Sequence, residues 1–110
     1  MSGVAVVIRH FDVFRNPRDK TRFPFLLVVQ HDLLEGLPVR VVAPLTPQRS
    51  FGQRPVKRLN PVFELEGTPM VMLTQMLGAV ATSSLRRPVA NLDARRTEII
   101  GALDIVFTGI

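Results

Sequence analysis

Residues 61–74 read Pro61-Val62-Phe63-Glu64-Leu65-Glu66-Gly67-Thr68-Pro69-Met70-Val71-Met72-Leu73-Thr74. Two apolar runs flank Glu66-Gly67, a two-residue turn of the kind that closes a β-hairpin. Glycine accepts the positive φ such a turn needs. Glu64, Glu66 and Thr68 alternate with apolar neighbours, which leaves one face of the hairpin to water.

Further strands extend outward from this pair. Residues 39–45 make a β-branched run, in which Pro44 lacks a ladder donor and is expected at a strand end, an edge or a bulge. Residues 23–30 are an apolar run of strand length. They are expected to pair with a first strand that starts in residues 2–10 and runs through Phe11-Asp12-Val13-Phe14. Between them, Asn16-Pro17-Arg18-Asp19 signals a turn. Acids, Gly36 and Pro38 make residues 31–38 a loop or single turn, and Pro47, Gly52 and Pro55 make residues 46–55 an exposed loop. Gly78 and Thr82-Ser83-Ser84 weaken a helix across residues 75–84, so that stretch reads as a short turn into a strand at 85–90, ended by Pro88 and Asn91.

The chain closes on a helical pattern. Ile99, Leu103 and Val106, and also Ile100, Leu103 and Phe107, recur at helical spacing. Asp93 suits an N-cap and Glu98 the positive end of the dipole, so the helix is placed at 93–107. With no βαβ alternation, the expected fold is mainly β (α+β). It is a single domain over 1–110: a small antiparallel sheet or partly open barrel of five to six strands, with the C-terminal helix packed on it.

Composition narrows the function. Fourteen Lys and Arg against nine Asp and Glu leave a net charge of +5, which favours acidic partners. No Trp or Tyr interleaves with the basic groups as a base-stacking platform would, so they read as a solvated surface. The absence of cysteine excludes disulfides and thiolate metal sites. Residues 4–8 are too short for a membrane span and lack a basic leader, so the expected location is cytoplasmic, with no membrane partner. His10 and His31 fit no metal-ligand spacing and read as surface or strand-end histidines, although a converging pair would suit ribonuclease-type acid–base chemistry. Ser50, Ser83 and Ser84 lie in no nucleophile-elbow pattern. No catalytic residue, metal or cofactor is therefore expected.

Taken in order, the segments resemble the CcdB family of toxins from toxin–antitoxin modules. The resemblance rests on Phe11-Asp12-Val13-Phe14, Val29-Gln30-His31-Asp32-Leu33-Leu34, Val42-Ala43-Pro44-Leu45, Arg58-Leu59-Asn60-Pro61-Val62, and Gly67 with Met72 and Thr74. It ends on Phe107-Thr108-Gly109-Ile110, where the family ends in Phe-Trp-Gly-Ile. It implies an SH3-like barrel that forms a homodimer. It also implies a toxin of the plasmid-maintenance type that binds the A subunit of DNA gyrase and traps the cleaved DNA complex without catalysis of its own. A cognate antitoxin with an acidic disordered tail would neutralise it and supply the only link to operator DNA. Carried over by residue, the gyrase contacts fall on Asp104, Phe107, Thr108, Gly109 and Ile110, with Leu33, and its neighbour Leu34, on the target-facing side.

Two features depart from the family. Thr108 replaces the tryptophan, and losing a hot-spot aromatic typically costs ~2 kcal/mol or more, roughly thirty-fold in affinity. Residues 1–9 form an N-terminal extension. Two alternatives stand beside the gyrase toxin. One is a diverged relative that keeps antitoxin and operator binding with weak or lost poisoning; the other is an endoribonuclease toxin of the related MazF type.

Overall fold

The computed structural model describes residues 7–34 and 36–110; residues 2–6 of the expected first strand and Glu35 of the 31–38 loop lie outside the described residues. Among the described residues seven strands follow in chain order: β1 (Asp12–Arg15), β2 (Phe25–Val28), β3 (Val39–Pro47), β4 (Val62–Leu65), β5 (Thr68–Met72), β6 (Gly78–Ala81) and β7 (Pro88–Asn91). Helix α1 (Arg96–Thr108) closes the chain. The strands pair antiparallel in the order β4-β5-β3-β2-β1-β7, with β6 also on β3. They form a curled half-barrel, the mainly β architecture with one helix that the strand pattern predicts.

The hairpin forms as its sequence dictates. Leu65 pairs with Thr68, and Glu66 (φ 52) with Gly67 (φ 78) makes the left-handed two-residue turn. Arg15 of β1 reaches Glu66 at 2.6 Å, although β5 and β1 stand three steps apart in the sheet, so the sheet is strongly curled.

β3 is the spine of this sheet. One flank pairs with β2; the other pairs with β6 over residues 39–42 and with β5 over residues 45–47. This explains Pro44, which sits inside the strand rather than at an end. Val29 N–H donates to Val41 O, so hydrogen-bonded pairs across β2 and β3 fall on odd residues. The Pro44 nitrogen is thus turned to the other flank, where β6 has ended and β5 has not begun.

Four boundaries correct the sequence expectation. β3 continues through buried Thr46 and Pro47, whose segment reads as loop by composition, and the Thr46 hydroxyl donates to Arg22 O at 2.7 Å. β6 was not expected. Its Gly78-Ala79-Val80-Ala81 has too little side chain to signal a strand, and pairing with β3 makes it one. Pro88 begins β7 instead of ending a strand. Asp93 opens a 3-10 turn (Asp93–Arg95), and the N-cap position falls on Arg95 with no side-chain cap.

Alternation along the strands gives the sheet two apolar faces. Phe11, Val13, Phe25, Leu27, Ala43, Leu45, Phe63, Leu65, Met70 and Met72 form the main core with Ile99 of the helix. Phe14, Leu26, Val28 and Val42 form a second cluster with Leu85 and with Ile8, so the end of the 1–9 stretch is part of the packing. Among the described residues no helix is long and apolar enough to cross a membrane.

Candidate partner-binding site

The helix carries more apolar surface than the core uses. Ile99 and Ala102 are fully buried and Leu103 packs against the core, whereas Ile100, Val106 and Phe107 are exposed. Arginines anchor the start: Arg95 lies over the Phe63 ring at 4.9 Å and Arg96 over Phe11 at 5.5 Å. Arg95 also pairs with Glu98, and that hydrogen bond holds the Glu98 carboxyl below, and the Arg95 guanidinium above, their ordinary pKa ranges.

At the other end the backbone is fixed. Gly109 takes φ 77 and its N–H donates to Ile105 O at 3.0 Å, the left-handed cap that ends many helices. The Thr108 hydroxyl donates to Asp104 O at 2.7 Å and accepts the Ile110 N–H at 3.3 Å. Arg58, from the loop before β4, donates to Ile110 O at 3.0 Å. On this frame Phe107 is 71% exposed and Ile110 78%, with Asp104 exposed one turn below.

The turn carrying Leu33 is built separately. His31 Nδ1 accepts the Leu33 N–H at 3.0 Å, and Asp32 Oδ1 accepts the His10 N–H at 2.7 Å. Buried Gln30 staples the base, donating to Leu34 O and Val39 O and accepting from Val41 N–H. Leu33 then stands 87% exposed and Leu34 half-exposed.

Contrary to expectation, the two histidines converge, with ring centroids 5.2 Å apart. They border a cavity of about 480 Å³ shared with Arg9, Asp12, Asp32, Asn91, Asp93 and Arg96. His10 stacks on Phe11 at 3.6 Å, and its Nε2 is shielded from solvent with no hydrogen-bond partner among the described residues. His31, by contrast, is exposed, and its Nδ1 is taken up by the Leu33 N–H. Among the described residues no three His, Asp or Glu side chains gather as a metal site.

Asp104, Phe107, Thr108, Gly109 and Ile110 therefore form one surface at the end of α1. Leu33 does not join it within a single chain. Its turn borders the cavity that Asp93 and Arg96 line at the helix start, and twelve residues of helix span about 18 Å.

Residues 10–109 match the family model described as CcdB protein. The chain belongs to the CcdB family. It is thus a toxin of the toxin–antitoxin class, and an antitoxin is the partner the family implies. The CcdB match takes in the Leu33 turn and α1 through Gly109, and begins at His10, after the 1–9 stretch. Arg58 is the contributor that sequence reasoning missed. It stands in one of the CcdB-like stretches, but nothing local announces a bond to a residue 52 positions away.

Proposed function

We propose that this CcdB-family protein is a single toxin domain that binds the DNA gyrase A subunit as a homodimer. It traps the gyrase–DNA cleavage complex and has no catalysis of its own. The observation that carries this reading is the end of α1, where Phe107 and Ile110 stand exposed on a backbone already fixed by the Gly109 cap. Fully burying a side chain of this size contributes about 1.5–3 kcal/mol, and a rigid donor loses little of it to ordering. A two-fold axis doubles the effect and supplies two copies of Leu33 beside two helix ends. The cognate antitoxin, with an acidic disordered tail, removes the toxin by wrapping its basic surface and carries any operator contact. The net charge of +5 supports such a partner.

Thr108 favours a second reading, a diverged relative that keeps its antitoxin and poisons gyrase weakly. The experiment that decides is induction without antitoxin, followed by a cleavage assay with purified gyrase of the same host. Linearised plasmid after detergent treatment supports poisoning; no cleavage complex overturns it. Cutting of RNA by the pure protein would establish the endoribonuclease reading instead.

A further inference from the structure

We propose that Arg58 is a positioning residue for the working end of the helix, a latch that sets the conformation in which Gly109 and Ile110 meet their partner. The binding half of this inference rests on the gyrase reading above.

Arg58 is held where it is by its surroundings. It adopts φ 72, a left-handed conformation that residues with a Cβ rarely keep unless neighbouring contacts impose it. Those contacts are present. Leu59 N–H and Asn60 N–H both donate to Val56 O, at 3.1 and 2.9 Å. Buried Asn60 accepts the Val56 N–H at 3.1 Å and donates to Met72 O at 3.0 Å and to Gln75 Oε1 at 2.9 Å. The Thr74 hydroxyl donates to Leu59 O. The loop is thereby bolted to the end of β5, and the Arg58 guanidinium is aimed from a rigid base.

The helix end has a use for it. α1 carries no basic residue in its last turn, so the negative pole of its dipole lacks a cation of its own, and Arg58 supplies one from outside. Gly109 is secured by its own N–H and Ile110 by the weaker bond to Thr108, but the bond to Ile110 O comes from Arg58. Beside it lies a cavity of about 290 Å³ lined by Arg58, Pro61, Thr97, Glu98 and Gly101. Glu98, the acid on its wall, is engaged by Arg95 and does not draw Arg58 away. Pre-ordering of the segment lowers the entropy lost on binding.

The test compares the full chain with Arg58→Ala, Arg58→Lys and Arg58→Gly. The glycine variant suits the positive φ and so separates loss of the latch from collapse of the loop. ¹⁵N heteronuclear NOE values at Ile110 should fall in the alanine and glycine variants, with residues 99–105 and the Gly109 cap unchanged and the melting temperature not lowered. Lysine should restore part of the order, because it keeps the charge but not the fork of donors. Affinity for the gyrase A subunit should drop about ten-fold with loss of the pre-ordered segment. Unchanged order at Ile110 in the glycine variant overturns the latch. Lost order with unchanged affinity overturns its role in binding. Lost order in a protein whose wild type does not bind gyrase supports the latch and overturns the gyrase reading.

Discussion

At the scale of single residues, His10 ties folding to pH. Burial pushes its pKa below the ordinary 6.5, with His31 and then Arg96 adding to the effect. A hydrogen bond to the Val29 backbone and the nearby Asp32 act in the opposite direction. The folded state therefore holds the neutral imidazole, while the unfolded chain binds its proton from about pH 6.5 downward. Stability present above the unfolded pKa is lost as pH falls through the folded pKa. Urea midpoints should be level above about pH 7 and decline below 6.5, and His10→Gln should flatten that decline. An equal slope in wild type and variant would assign the effect elsewhere. Thr108 is the other decisive residue. It is exposed, its hydroxyl makes two local bonds, and the Gly109 cap does not depend on it. Thr108→Trp should keep the fold and gain ~2 kcal/mol per site, roughly thirty-fold, against a typical gyrase. Growth arrest and affinity measured with that gyrase check this; an unchanged or weaker effect means that position 108 does not face the target.

At the scale of elements, what could be read in the chain followed where its signals were local. The Glu66-Gly67 hairpin is legible because turn chemistry and alternation agree within a dozen residues. β6 is not, because its small residues become a strand only by pairing with β3. Pro44 reads as a strand end, an edge or a bulge; it lies inside β3, at the gap between the β6 and β5 pairings on one flank. The proposed contacts at Asp104 and Phe107 to Ile110 come from the family pattern, whereas the Arg58 bond and the meeting of His10 with His31 are products of folding. Gly101 carries an element-scale prediction. A Cβ there meets nothing within 4 Å, so glycine is not required by packing. Gly101→Ala should raise helix stability by about 1 kcal/mol, read as a higher melting temperature. Gly67 behaves oppositely: space is open, but φ 78 strains any other residue. Gly67→Ala should destabilise by roughly 1 kcal/mol in a urea titration, despite the absence of a clash.

At the scale of the whole molecule, the question is how Leu33 and the end of α1 serve one target. The curled sheet fixes the Leu33 turn beside the start of the helix and sends Phe107 to Ile110 to its far end, so one chain offers two separated apolar points. Ile100, Val106 and Phe107 remain exposed along the helix between and beyond them. A two-fold pair of chains would use part of that surface for self-association and present the two ends of α1 together. Sedimentation should accordingly report twice the chain mass. Removing Gly109 and Ile110 tests the division of labour, because both lie past α1 and neither contributes to the core. The shortened protein should keep its circular dichroism spectrum and its dimeric mass while losing the gyrase cleavage complex. A collapsed spectrum would make these two residues structural, and a monomer would assign them to the contact between chains.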